Sequence, residues 1–431
     1  MWRINSIYRE FGEYSNAGIL YPFLNKGNDI AIFNHGGYWK MSRFDIKDIN
    51  RRKLLQYGFM GLGAFFGNIL LPMPVRAATS SLLSLGDLGP ADANGIRLPP
   101  GFTSRVVAHS GQKLFDYVWH AAPDGGAVFR VANGDWIYVS NSEIDDGGGG
   151  VGALRFNPMG EIIDAYSILN QTHRNCSGGK TPWRTWLSCE EVDRGQVWEC
   201  YPGGRKSAQP RSALGLFRHE AVAVDFVRKQ IYLTEDERDG CLYRYTAASI
   251  DAEGKPDLDN GVLEVAEVVD KSTGIVHWNA VPDPLATSKP TRKQIPNCTQ
   301  FNGGEGIWYR HGIVYFSTKG DDRIWAYDVL KQSLSIIYDA ALYAVPVLTG
   351  VDSITSNAAG ELLIAEDGGN MQLVALAGGK VKPILQVVDQ AESEITGPAF
   401  SPDGSRLYFS SLRGKTGLLE DGVTYEITGP F

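Results

Sequence analysis

Six short segments of this chain share one pattern, an apolar or aromatic pair, a small hydroxyl or alanine, and then a polar residue. They are Tyr138-Val139-Ser140-Asn141, Trp186-Leu187-Ser188-Cys189, Tyr232-Leu233-Thr234-Glu235, Tyr315-Phe316-Ser317-Thr318, Leu363-Ile364-Ala365-Glu366 and Tyr408-Phe409-Ser410-Ser411. Their last residues lie 48, 46, 83, 48 and 45 positions apart. A period of about 45 with several strands per unit reads as propeller blades, since one such unit cannot bury its apolar face without its neighbours. The interval of 83 reads as one unit carrying an insertion near 250–300. In most units a strand precedes the shared segment (221–224, 306–309), a turn joins them (227–230, 310–312), and a third strand follows (242–245, 324–327, 373–376). The pattern predicts an all-β, six-bladed β-propeller, its last blade ending near 424–427 and completed by an N-terminal strand at 103–107.

Composition enters in two places. Fifty glycines with 10 Trp, 19 Tyr and 18 Phe suit short strands and tight turns. A net charge of −8 without a basic tract argues against a nucleic-acid partner. The N-terminal region alone is locally basic. Arg51 and Arg52 precede Lys53-Leu54-Leu55, a glycine-interrupted apolar run reaches Leu71, and Val75-Arg76-Ala77 offers a small-residue cleavage site. This is the form of a twin-arginine signal peptide over 41–77, addressed to the twin-arginine export machinery. Gly58, Gly61, Gly63, Gly67 and Asn68 weaken the run as a stable membrane span. Residues 1–40 show no usable periodicity, and Met41-Ser42-Arg43-Phe44 makes an ordinary start, so 1–40 read as an over-extended start.

The exported part is then 78–431, a single propeller domain expected to work as a monomer in the periplasm or outside the cell. Residues 1–77 hold ten of the 41 basic and five of the 49 acidic residues, which leaves 78–431 at −13. Such a balance suits cations better than polyanions. Of the five cysteines, Cys176, Cys189, Cys200, Cys241 and Cys298, two disulfides would leave one over as a free thiol or a ligand, and spacing alone does not pair them.

The chemistry starts at Cys189-Glu190-Glu191, where a thiol precedes two carboxylates at the end of a short apolar strand. Deprotonated sulfur suits iron or zinc and carboxylates suit calcium or trivalent iron. In an antiparallel hairpin the residue entering the first strand and the residue leaving the second share one edge. Glu220 and Glu235 are 15 apart, Glu305 and Thr318 are 13 apart, and Asp352 and Glu366 are 14 apart, so each pair is expected at one rim. Asn141, Glu143, Cys189, Glu190, Glu220, Glu235, Glu305, Asp352 and Glu366 are therefore expected to crowd one mouth of the propeller. That many acids repel unless cations neutralise them, which predicts a multinuclear metal centre. Taken singly, Glu235-Asp236-Glu237 and Glu366-Asp367-Gly368 also suit ordinary acidic turns, and His219 suits a structural histidine.

The segment 175–191 contains Cys-Ser-Gly-Gly, Thr-Pro-Trp and Trp-Leu-Ser-Cys-Glu-Glu. With His219-Glu220-Ala221-Val222 and Tyr232-Leu233-Thr234-Glu235-Asp236, it resembles the PhoX-type alkaline phosphatases. The resemblance implies a six-bladed propeller that holds two Fe3+ and Ca2+ ions and hydrolyses small phosphate esters outside the cytoplasm. It implies Cys189 as an iron-bridging thiolate, Glu220 and Glu305 as iron ligands, and Glu143, Glu190, Asp352 and Glu366 as the calcium shell. One departure stands out. The family carries a phosphate-clamping arginine two residues before the glutamate matched by Glu305, and this chain has Gly303 there, with no lysine near it to replace the lost guanidinium. Arg174, Arg184 and Arg413 are the arginines left to reach the mouth from loops. Two other readings compete. A calcium-dependent propeller lactonase or esterase explains the missing arginine but has no use for Cys189, and a noncatalytic binding propeller would use metal only as a structural plug.

Overall fold

Short runs such as Ala221-Val222-Ala223-Val224 are apolar on both faces, and a strand of that kind is stable only where both faces are covered. Every residue of His219–Asp225 and of Val351–Ser356 is buried. In the computed structural model six inner strands, Pro123–Arg130, Asn175–Lys180, His219–Asp225, Gly304–Arg310, Val351–Ser356 and Ile395–Phe400, pack side by side in chain order. Ile395–Phe400 packs back on Pro123–Arg130 and closes the ring. The structure describes residues 81–431 and, before them, only the short antiparallel strands Phe23–Leu24, Ile30–Asn34 and Gly37–Lys40. The twin-arginine segment 41–77 and the rest of 1–40 lie outside the described residues.

From each inner strand an antiparallel sheet runs outward. Pro123–Arg130 is followed by Trp136–Ser142, Gly149–Phe156 and Ile162–Thr172, and Asn175–Lys180 by Trp186–Glu190, Val197–Cys200 and Gln209–Pro210. Val351–Ser356 is followed by Leu362–Glu366, Gln372–Ala377 and Lys380–Val387, with Ile96–Arg97 at the outer edge. The last sheet runs Ile395–Phe400, Arg406–Ser411, Val423–Thr428 and then Thr103–His109. The N-terminal strand thus closes the last blade, as its sequence suggested. The buried Glu426 reinforces this closure, accepting from Arg105 Nη2 at 2.8 Å and Tyr408 Oη at 2.7 Å.

The fold is all-β and propeller-like, and among the described residues its only helices are three-residue 3-10 turns. It shows four blade sheets and one nine-stranded sheet in place of six separate blades. The nine strands run from His219–Asp225 at one edge to Gly304–Arg310 at the other. The long interval of the repeat explains the merger. It supplies a fifth strand, Ile275–Ala280, beyond Gly261–Asp270, and this strand meets Ser333–Asp339 at the single pair Ile275–Ser333. The insertion near 250–300 thus supplies this hairpin and the loops flanking it.

Between sheets the apolar side chains interlock. Leu363, Leu373 and Leu385 pack against Leu407, Phe409, Tyr425 and Ile427 of the neighbouring sheet. Each such buried side chain stabilises the fold by about 1.5–3 kcal/mol. Toward the ring centre the strands crowd, and the third residue of every inner strand is small: Gly125, Ser177, Ala221, Gly306, Ser353 and Gly397. A Cβ on Gly306 would lie 2.5 Å from Ile354 N and 2.7 Å from Asp352 O, so only glycine permits that approach.

Candidate metal centre

All six inner strands carry a register break directly after their first residues, between Pro123 and Gly126, Asn175 and Gly178, His219 and Val222, Gly304 and Ile307, Val351 and Ile354, and Thr396 and Ala399. A break of this kind re-aims the side chain beside it. The second residue of each strand is Asp124, Cys176, Glu220, Glu305, Asp352 or Thr396, and the first five line one cavity of about 120 Å³. A second tier comes from the residue that follows each second strand. Glu143, Glu191, Asp236, Lys319 and Asp367 stand at that position and line the same cavity, joined by Arg174, Glu394 and Arg413 from loops.

Nine carboxylates and one thiol therefore face only three cations. Lys319 Nζ lies 2.9 Å from Glu305 Oε1, 3.2 Å from Asp367 Oδ2 and 3.6 Å from Asp352 Oδ2. Arg413 Nη2 pairs with Glu394 Oε1 at 2.6 Å, and Arg174 Nη2 bridges Glu143 to Glu191, 2.9 Å from the latter. The uncompensated acids resist ionisation. Burial first, then repulsion from neighbouring carboxylates, holds Asp124, Glu220 and Glu394 well above the usual carboxylate range, and Glu305 rises with them although Lys319 opposes it. The same burial raises Asp352 to about 6 and Glu191 to about 8. Cys176 Sγ donates to Glu220 Oε1 at 3.2 Å, and burial together with the charges of Asp124 and Glu220 holds its pKa well above that of an ordinary thiol.

These donors fit metal ions. Glu143, Cys176 and Glu191 can bring ligand atoms within 4.8 Å of one another, as can Glu220, Glu305 and Asp352, and Asp352, Asp367 and Glu394. The middle and last groups share Asp352. A soft sulfur beside hard oxygens is a mixed donor set, the sulfur suiting a softer metal and the carboxylates a harder one.

Of the residues expected at the mouth, Glu143, Glu220, Glu305 and Asp352 are there. Cys189 is not. It is fully buried among Leu187, Val197 and Leu214 on the apolar side of Trp186–Glu190. Glu190 accepts from the backbone N–H groups of His173 and Gln196, both at 3.0 Å, and Glu366 accepts from those of Thr349 and Gln372, both at 3.0 Å. Glu235 accepts from Cys241 N at 3.1 Å and Tyr243 Oη at 2.9 Å and pairs with Arg292 at 3.0 Å. These three acids tie the end of a second strand to the strand that follows, which is why they sit at one position of the repeat without facing the cavity. Asn141 is consumed in the same way, donating to the carbonyls of Cys176 and Ser177 and accepting from Trp186 and Ser188. His219 is structural, its Nε2 on Gly215 O at 3.0 Å.

Arg174 and Arg413 reach the mouth, whereas Arg184 sits exposed in the 181–185 turn. Gly303 has φ +69°, and a Cβ there would lie 3.3 Å from Asp236 Oδ1. A side chain at 303 would thus enter the site at the cost of a strained backbone. The sequence showed no lysine to compensate, yet Lys319 N donates to Gly303 O at 2.9 Å, so the lysine stands beside the glycine. Sequence reasoning also missed Asp124 and Cys176. The signal was the same repeat applied to first strands, an acid or thiol followed by a small residue.

Fold and site together define a propeller-like protein with a buried cluster of acids and one thiol, candidate metal ligands, at one end of its ring. Residues 164–333 match the family model described as alkaline phosphatase PhoX, so the family read from the motifs is the one the chain matches. No match is found among curated proteins. Among solved structures, Pseudomonas fluorescens PhoX in complex with vanadate, a transition state analogue, aligns with a TM-score of 0.65 at 17% identity, covering 81% of this chain and 98% of that one. A gluconolactonase of Xanthomonas campestris aligns with a TM-score of 0.42 at 12% identity, covering 80% and 98%. A Bacteroides thetaiotaomicron protein of unknown function aligns at 0.48 and 9%, covering 79% and 83%.

Proposed function

We propose that this chain is an exported, metal-dependent phosphatase that hydrolyses small phosphate esters at the mouth of a six-bladed propeller. The observation that carries the reading is the tier of second residues, which brings Asp124, Cys176, Glu220, Glu305 and Asp352 to one cavity within a chain that matches the PhoX model. The six inner strands with their common register break support six blades, the nine-stranded sheet being two blades joined at Ile275–Ser333. The twin-arginine segment 41–77 supports export to the periplasm or beyond, and no helix among the described residues is long and apolar enough to cross a membrane.

In this reading Cys176, with Glu220 and Glu305, would hold Fe3+, and the thiolate role would pass to it from Cys189, which the apolar core encloses. Asp352, Asp367 and Glu394 would hold Ca2+, and Glu143 and Glu191 stand beside Cys176 as a further group of candidate ligands. Bound cations supply Lewis acidity toward a phosphoryl oxygen and offset the charge that develops there. The chain's own cations complete the charge pattern, Lys319 serving where the resembling family has an arginine. A cavity of about 120 Å³ admits a phosphoryl group and little more. Beside it lies one of about 570 Å³ lined by Leu216, Phe217, Pro290 and Arg218, large enough for the organic part of an ester. Arg218 links the two, its Nε 3.8 Å from Glu191 Oε1.

Hydrolysis of a chromogenic aryl phosphate by the iron- and calcium-loaded protein tests the reading. Activity is expected to fall at least about 100-fold in Cys176→Ser, and to survive in Cys189→Ser. A folded, fully metallated protein that hydrolyses no phosphate ester would sink the phosphatase reading, and turnover of lactones instead would favour a calcium-dependent lactonase.

A further inference from the structure

We infer that Cys241 and Cys298 form a disulfide that fastens the 281–299 loop to the sheet and thereby fixes one wall of the larger cavity. The two sulfurs lie 3.0 Å apart, and among the described residues they are the pair of cysteine sulfurs in contact. A bonded pair stands at about 2.0 Å, so a shift of roughly 1 Å suffices. The backbone already holds the partners together. Gly240–Cys241 pairs antiparallel with Gln300–Phe301, which places Cys298 two residues from the partner of Cys241. The other three cysteines are committed elsewhere. Cys176 faces Glu220, Cys189 packs among Leu187 and Val197, and Cys200 packs with Trp186 and Val139 in a different cluster.

The two thiols differ in a way that orders the reaction. Cys241 is buried, and Cys298 is partly open to solvent, its Sγ also donating to Arg292 O at 3.3 Å. Cys298 as thiolate attacks one sulfur of a disulfide oxidant, either a small-molecule disulfide or an oxidised dithiol protein. The oxidant's S–S bond breaks, and its second sulfur leaves as a thiolate and takes up a proton. Cys241 loses its proton and displaces the remaining half, again as a thiol. Two protein thiols give up two electrons, one oxidant disulfide becomes two thiols, and the Cys241–Cys298 bond is formed.

The bond lies where it shapes the cavity. The loop it closes contributes Ala286, Thr287, Pro290 and Arg292 to the wall, and Arg292 is itself braced by Glu235, Glu237 and Asp239 at 3.0, 3.1 and 3.1 Å. Cross-linking residues 57 apart also removes much freedom from the unfolded chain, and longer loops gain more from this.

The test uses the purified full chain incubated with oxidised glutathione. Thiols titrated under denaturing conditions are expected to fall from five to three, with a 241–298 cross-linked peptide in a non-reducing digest. Five remaining thiols, or a cross-link through Cys176, Cys189 or Cys200, would overturn the pairing, and neither readout requires a variant to fold. Reductant is expected to lower the melting temperature of the oxidised protein by several degrees and to leave Cys298→Ser unmoved. An oxidised protein whose melting reductant does not change would overturn the fastening role.

Discussion

Lys319 shows how much a single side chain decides here. Its ammonium is enclosed by Glu305, Asp352 and Asp367, and their charges keep it protonated although burial alone would depress it. Its backbone N–H is held on Gly303 O, so the cation stands next to a glycine whose backbone disfavours a side chain. If it serves as the phosphate-holding cation, Lys319→Met should lower kcat/KM for an aryl phosphate about 100-fold with iron and calcium content intact. Lys319→Arg should recover part of that loss. Unchanged kinetics in the methionine variant would assign the phosphate to Arg174 or Arg413 instead. Little of this was legible from spacing, because residues 303 and 319 meet only through the pairing of Gly304 with Thr318. The acids at 220, 305 and 352 were legible, since each opens an inner strand. Cys189 misled for a definite reason: it stands one residue before the end of a second strand and packs in the apolar core, whereas the cavity is lined by Glu191, just past that strand.

An element's outer strand can matter as much as its inner one, and Val197–Cys200 is the clearest case. Glu199 on that strand is fully buried yet accepts from Trp183 Nε1 at 2.7 Å, Thr185 Oγ1 at 2.9 Å, Arg211 Nη2 at 2.5 Å and Lys255 Nζ at 2.8 Å. One carboxylate thus joins the strand, the 181–185 turn and the loop carrying Lys255. Burial alone would raise its pKa, but the hydrogen bonds from Lys255, Trp183 and Arg211 outweigh burial and hold it below its ordinary 4.5. The unfolded chain then binds the extra proton at acid pH. The stabilisation is complete above about 4.5 and is lost as pH falls through the folded value. Glu199→Gln should cost about 1.5–3 kcal/mol at neutral pH, where it leaves Lys255 without its carboxylate and Arg211 with Asp259 alone, and the gap to wild type should close in acid. Urea unfolding at about pH 7 and pH 3 measures both, and a gap that does not narrow would assign the role of Glu199 to packing rather than charge. The acids at 190, 235 and 366 belong to this scale too. Each accepts from the backbone N–H six residues on, at 196, 241 and 372, a spacing visible in the sequence once the turn-closing role is known.

For the whole molecule, the repeat made the all-β ring and its closing strand readable, because period and alternation follow directly from burial. The merger of two sheets was not readable, since whether Ile275–Ala280 stays apart from Ser333–Asp339 depends on a wedge of space between blades and not on either segment alone. What the ring does with charge follows from its geometry. Six strands converge, small residues let them approach, and the residues just before those small ones are forced into one volume where nine carboxylates meet three cations. On the proposed reading, bound cations hold such a mouth together. Stripping the metals with a chelator should therefore lower the melting temperature by several degrees. The loss should be largest in dilute buffer, because screening shortens from about 10 Å at 0.1 M salt to about 3 Å at 1 M. Added salt should restore part of the stability of the metal-free protein and leave the loaded protein nearly unchanged. Calorimetry of both forms across that range decides the matter. Equal melting temperatures in a protein shown to have lost its metal would mean that the protonated carboxylates and Lys319 already neutralise the mouth, and that its ligands are arranged for chemistry without being needed for the fold.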